Sequence, residues 1–134
     1  MAKSATVHCS VITPEEQVLD TNATSVVIPA HDGRIGILTD RAPLLCELGI
    51  GVLKVDTVDH GERFFYVDGG FAQVLNNEVT ILTERAAAAE NVSRSDAQKA
   101  LAEAEQMPGG TLQAREARDR AMQRAKTQIH IAKK

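Results

Sequence analysis

Aromatic side chains are almost missing from this chain. They make up 3% of its 134 residues, there is no Trp, and the three Phe and one Tyr all fall between Phe64 and Phe71. A core must therefore be built from Val, Ile, Leu and Ala, which a hydrophobic content of 43% allows. Cysteine is scarce as well: Cys9 and Cys46 stand alone, without close spacing. One disulfide is possible, but a domain of this size does not need it, and both read as reduced, buried, small hydrophobes. No run approaches the roughly 18 apolar residues of a membrane span. No apolar stretch near the start resembles a secretory signal, and no Arg- and Ser-rich transit sequence is present. The expectation is a soluble protein, cytosolic or peripheral to something cytosolic.

Catalytic and metal-binding patterns are lacking too. The histidines stand at 8, 31, 60 and 130, none three or four residues from another or from a cysteine, so metal-ligand spacing is absent. Gly49-Ile50-Gly51 opens like a dinucleotide fingerprint, but Lys54 stands where the third glycine belongs, and no helix follows. There is no phosphate loop and no nucleophile elbow. Glu15-Glu16, beside Pro14, reads as solvent-facing. Arg63-Phe64-Phe65-Tyr66 resembles a base-stacking strand, yet it sits in an acidic stretch that repels phosphate, and a core role fits better. No cofactor and no nucleic acid is expected.

What is present is uneven. Residues 1–92 carry six Lys/Arg against thirteen Asp/Glu, whereas residues 111–134 carry seven against two. An acidic first part is joined to a basic tail, which is either a solvated helix face or the half of a contact with an acidic partner. The first part reads as short strands. Ala5, Val7, Cys9 and Val11 alternate with polar residues, and Pro14 closes that strand. Val26–Ile28 is a second, ended by Pro29, and Ile35–Leu38 a third after the Asp32-Gly33 turn. Asp59–Glu62 separates Val52–Val58 from Arg63–Val67; Gly69-Gly70 leads into Phe71–Leu75; Asn76-Asn77 leads into Val79–Leu82. Such spacing predicts a sandwich or barrel.

Composition changes at Arg85, after which thirteen alanines follow. Ser93 or Ser95 can N-cap a helix whose Ala97, Ala100, Leu101 and Ala104 share a face. Pro108-Gly109-Gly110 stops it, Thr111 caps the next, and Ala114, Ala117, Ala121 and Ala125 form a matching seam. The predicted architecture is an all-β N-terminal sandwich over 1–84, a linker or hinge over 85–92, and a C-terminal antiparallel α-helical hairpin over 93–134, with helices at about 94–106 and 111–130. An alanine seam buries little area at ~25 cal/mol per Å². The hairpin should therefore be weakly held, able to move, and docked on the β domain or on a partner.

Ordered motifs then carry a resemblance. Val27-Ile28-Pro29-Ala30, Gly33-Arg34-Ile35-Gly36-Ile37-Leu38, Arg41-Ala42-Pro43-Leu44-Leu45, Gly49–Val55, Phe64–Val74 and Asn77–Leu82 resemble, in order and spacing, the epsilon subunits of F-type ATP synthases. The match covers the β domain, and the hairpin matches in architecture and length. The resemblance implies a non-catalytic rotor-stalk subunit that binds the gamma subunit, rests on the c-ring, and couples proton translocation to ATP synthesis. It implies a peripheral position on the cytoplasmic face of the bacterial inner membrane, within the complex. It also implies that His31, Asp32, Gly33, Arg34, Thr39, Asp40 and Arg41 lie in loops at one end of the sandwich facing the c-ring. Some relatives have an acid where Arg34 stands, so charge pairing there would differ. In many bacteria the hairpin extends towards the catalytic alpha and beta subunits and inhibits ATP hydrolysis. The basic residues Arg115, Arg118, Arg120, Arg124 and Lys126 are the matching positions here.

One departure matters. Some relatives bind ATP through Ile/Leu-Asp, two residues, then Arg-Ala. The aligned stretch is Val92-Ser93-Arg94-Ser95-Asp96-Ala97, with Ser93 in the Asp position and Asp96 in the Arg position. A carboxylate in place of a guanidinium repels phosphate, so tight ATP binding is not expected. Two other classes remain open: a generic β-sandwich module whose basic helix binds an acidic protein or nucleic acid, and a small β-fold enzyme whose site forms only in three dimensions.

Overall fold

Alternation in the first strand decides which side chains face inward. In the computed structural model, which describes residues 6–31 and 33–132, β1 (Val7–Ile12) buries Val7, Cys9 and Val11 and turns His8, Ser10 and Ile12 outward. Ala5 and Asp32 lie outside the described residues. The remaining strands are β2 (Gln17–Ala30), β3 (Gly33–Ile37), β4 (Leu44–Glu47), β5 (Ile50–Thr57), β6 (Gly61–Asp68), β7 (Phe71–Leu75), β8 (Glu78–Leu82) and β9 (Ala86–Ala88). They join in the order β4-β7-β8-β1-β2-β5-β6-β9, with β3 also on β2. All neighbours are antiparallel except β1 and β8. Inward side chains from both halves, among them Val11, Ile81 and Val74 from one and Leu53, Val55 and Phe65 from the other, share one apolar core. That makes the sheet a sandwich.

Three expectations are corrected. The second strand is fourteen residues long rather than a short Val26–Ile28 piece. It pairs with β1 over Gln17–Ala23 and with β5 over Ala23–Val27, with a bulge between Ala23 and Ser25. It also continues through Pro29, which has no N–H to donate but whose carbonyl accepts from the Gly49 N–H at 2.9 Å. Gly51 lies flat against this proline: a Cβ on it would meet Pro29 Cβ at 2.7 Å. The segment read as a linker, 85–92, contains β9, paired through Ala86, Ala87 and Ala88 with Val67, Tyr66 and Phe65, and a single 3-10 turn over Ala89–Asn91. Cys46 is half-buried rather than buried, and neither cysteine is in a disulfide. Burial, with the Asp20 charge adding to it, pushes the Cys9 thiol up to about 12, so it acts as an inert small hydrophobe.

Helix α1 (Arg94–Glu105) is capped by Ser93, whose hydroxyl accepts from the Asp96 N–H at 3.2 Å, and α2 (Leu112–Ile131) by Thr111, which accepts from Ala114 N–H at 3.0 Å. The two helices pack together as a hairpin. Ala97 and Ala104 are buried in it; Ala100, expected on the same face, is exposed. Of the two helices, α2 is the one that packs on β5 and β6.

Candidate functional site

The outer face of the β5–β6 pair is where the helices meet the sandwich. Leu53, Val55, Phe65 and Val67 point into the core, so by strand alternation Ile50, Val52, Phe64, Tyr66 and Asp68 point the other way. Four of these are apolar or aromatic, and the last is an acid. Helix α2 covers them. Ile131 packs with Tyr66 and Ala89 in a second, small cluster that Ile50, Val52, Phe64 and Val92 border. Seven residues earlier, on the same helix face, Arg124 Nε sits 2.7 Å from Asp68 Oδ2. Beside it Gln123 Nε2 donates to the Ile50 carbonyl at 3.3 Å. Tyr66 is 2% exposed; burial, and then the Asp68 carboxylate, hold its hydroxyl protonated well above the usual range, and it donates to Asp68 Oδ2 at 3.3 Å.

The five basic residues of α2 are not one surface. Residues 115, 118 and 126 share one side of the helix, while 120 and 124 lie on another. Arg115, Arg120 and Lys126 are exposed. Arg118 is half-buried and lies over Gly109 of the interhelical turn, with Nε 4.0 Å from Asp119. Arg124 is committed to Asp68. Of the five, these last two are the ones held back from solvent, because a long cationic side chain covers neighbouring backbone whenever it can keep its head hydrated or paired.

The residues expected to face the c-ring are likewise divided. His31, Gly33 and Arg34 are exposed in the β2–β3 turn. Thr39, Asp40 and Arg41 follow the other end of β3, about 13 Å away at 3.3 Å per residue. The two groups therefore flank β3, one at each of its ends. Thr39 Oγ1 is buried. Asp40, at φ 64, is clasped to the β7–β8 turn: its N–H donates to Asn77 Oδ1 at 2.6 Å and Asn77 Nδ2 donates to its carboxylate at 3.2 Å. That clasp was not visible in the sequence, apart from the tolerance of Asn76 and Asn77 for positive φ, here 51 and 63.

At the start of α1 the four motif positions have structural work. Val92 borders the small apolar cluster, Ser93 is the cap, Asp96 sits in the first turn where a carboxylate favours the helix dipole, and Ala97 is buried against α2. Isothermal titration of magnesium-ATP into the chain should give no micromolar binding, and a micromolar Kd would overturn this reading of Asp96. A cleft of about 590 Å³ lies nearby, bordered by Arg34, Ile50, Val52, Phe64, His130 and Ile131 among others. Among the described residues no cluster of three or more His, Cys, Asp or Glu could hold a metal ion, and no helix is long and apolar enough to cross a membrane.

This arrangement has known counterparts. The family model for the ATP synthase delta/epsilon chain β-sandwich domain matches residues 6–89. The ATP synthase epsilon chain of Rhodopirellula baltica is 42% identical over 127 residues, covering 95% of this chain and 98% of that one. The epsilon chain of Leptospira interrogans is 34% identical over 125 residues, 92% of each chain. A subunit of the Euglena gracilis mitochondrial ATP synthase, solved by cryo-EM as the OSCP/F1/c-ring assembly, shares the fold with a TM-score of 0.82 at 22% identity, over 95% of this chain and 81% of that one. With the whole β domain matched by the family model and nearly the full length matched by relatives, the chain belongs to the ATP synthase delta/epsilon chain family.

Proposed function

We propose that this chain is the epsilon-type subunit of the central stalk of an F-type ATP synthase, with its β domain as the permanent coupling piece and its hairpin as a detachable regulatory arm. As a member of that family it is a non-catalytic subunit of the complex. The supporting observation is that the molecule has two unequal cores. The sandwich core draws on all nine strands, β4 through the partly buried Leu44 and Cys46, and among the described residues uses none of either helix, whereas the hairpin is held to it by a cluster with three buried members, Tyr66, Ala89 and Ile131. A part that must stay seated carries its own core. A part that must leave has little to give up.

The β domain would bind a gamma subunit and rest on the c-ring, and the assembly would hold it at the cytoplasmic face of a bacterial inner membrane. Two loops, about 13 Å apart along β3, are assigned to the c-ring. The His31–Arg34 turn suits it better, because Arg34 is exposed whereas Arg41 is half-buried next to the Asp40–Asn77 clasp. Arg34 calls for an acidic or carbonyl-rich ring loop. The hinge would lie at Asn91–Ser93, beyond the last sheet pairing and past the buried Ala89.

Co-expression tests the assignment. The chain should co-purify in a stable complex with the gamma subunit of its own enzyme. Arg34→Glu should then weaken binding of that complex to the isolated c-ring about tenfold at low salt, and less at high salt, while Arg41→Glu changes it little. Failure to co-purify with gamma would leave only the generic binding module.

A further inference from the structure

We propose that Asp68 and Arg124 form the latch that holds the helical hairpin down, and that the latch competes directly with the use of the basic tail on another subunit. The inference deepens the regulatory-arm reading above and rests on it. Asp68 ends β6 with its backbone fixed: its N–H donates to the Arg85 carbonyl at 3.1 Å and to Thr83 Oγ1 at 3.3 Å. Its side chain is 10% exposed under α2 and pairs with the Arg124 guanidinium at 2.7 Å, with the Tyr66 hydroxyl on the same oxygen. Arg124, by contrast, is 39% exposed. The pair is therefore asymmetric. The acid is buried only while the helix is docked, and the base is solvated in part in either state.

Two attachment points lie on one face of α2, Arg124 with Asp68 and Ile131 with Tyr66 and Ala89. The first helix packs on the second rather than on the sheet. Opening therefore means breaking one ion pair and the Gln123 hydrogen bond to the Ile50 carbonyl, and uncovering one small apolar cluster. Once α2 lifts, Asp68 rehydrates and Arg124 joins Arg115, Arg120 and Lys126 as a free cation. A guanidinium on Asp68 cannot at the same time fork onto a carboxylate of another subunit. An acidic partner surface would thus pull the arm off by claiming its latch residue.

Asymmetry gives the latch a signature that mere packing would not have. Arg124→Gln leaves a buried carboxylate without a countercharge in the docked state only, so it should open the hairpin more than Asp68→Asn, which leaves a cation that water can serve. Hydrogen exchange of the α2 amides in the isolated full-length chain reads the opening, with β1 and β8 amides as the control for global unfolding. We expect exchange in α2 to rise about tenfold or more in Arg124→Gln and a few-fold in Asp68→Asn. In the double variant it should fall back to the level of Asp68→Asn. A wild-type rate in Arg124→Gln, or a double variant at least as open as Arg124→Gln, would overturn the latch. In the reconstituted enzyme Asp68→Asn keeps every tail cation and should deepen inhibition of hydrolysis. If it loosens α2 but leaves hydrolysis unchanged, the latch stands and the regulatory-arm reading is what fails.

Discussion

Replacing Gly70 with alanine should destabilise the β domain by about 3 kcal/mol or more, enough to lower its melting temperature by roughly 10 °C. Two costs combine. Gly70 has φ +102, a conformation that side chains with a Cβ rarely adopt, worth about 1–3 kcal/mol by itself. A Cβ there would also press into the Leu82 carbonyl and stand 2.8 Å from Thr83 Cα. Both obstacles are backbone, where β8 ends, and cannot rotate away as a side chain could. The position is pinned from a third direction, since the Gly70 carbonyl accepts from the Leu48 N–H at 2.8 Å. Gly61 is the matched control. It has φ +69, but a Cβ added there would meet nothing within 4 Å, so Gly61→Ala should cost only the backbone preference, about 1–2 kcal/mol. Urea unfolding followed by far-UV circular dichroism measures both. Equal losses would mean that the close approach at Leu82–Thr83 contributes nothing.

Such close approaches mark the limit of what a sequence displays. Turns governed by their own φ angles were legible: Asn76-Asn77 and Gly69-Gly70 do adopt positive φ, and each is a local preference. So were both helix caps, because Ser93 and Thr111 need only their own next turn. Elements that exist for a distant partner were not. Gln17–Asn22 looks polar because only Leu19 among these residues is buried, and it becomes a strand because β1 offers it a ladder. Leu44–Glu47 follows Pro43 and is a strand only through β7. Ala86–Ala88 has the composition of a helix or linker, yet it closes the open edge of β6. Favourable helix propensity amounts to a few tenths of a kcal/mol per residue, which three ladder pairings and the burial of Ala88 outweigh. The candidate site divides in the same way. Charge asymmetry pointed to α2, but the pairing of Arg124 with Asp68 spans 56 residues of sequence, and no local pattern announces it. The loops that the resemblance assigns to the c-ring were joined by their place in a motif, whereas their position at the two ends of β3 follows from its pairing with β2.

Removing residues 111–134 should raise ATP hydrolysis by the reconstituted enzyme several-fold while leaving the β domain folded and seated. The second part of that expectation comes from the cores. The sandwich core ends at Ala88 and takes no side chain from α2. What the truncation uncovers is Ile50, Val52, Phe64 and Tyr66, a modest apolar surface, together with Asp68, which regains water. At ~25 cal/mol per Å² the loss of that cover falls on the hairpin's docking rather than on the sandwich. The single tyrosine reports on it directly: Tyr66 is buried under α2, so its fluorescence should become accessible to a small quencher in the truncated chain. The first part of the expectation depends on charge. Truncation removes Arg115, Arg120 and Lys126, which are exposed even when the arm is docked, along with Arg118 and Arg124. If these cations hold the arm on an acidic surface of a catalytic subunit, inhibition by the full-length chain should weaken with ionic strength over the range in which the Debye length falls from about 10 Å to 3 Å. Changing Arg115, Arg120 and Lys126 to Gln should then reproduce most of the truncation's effect without disturbing the Asp68 latch. Unchanged hydrolysis after truncation, in a complex that still contains the β domain, would remove the regulatory arm from this protein's function and leave a coupling subunit whose hairpin only shields its own sheet.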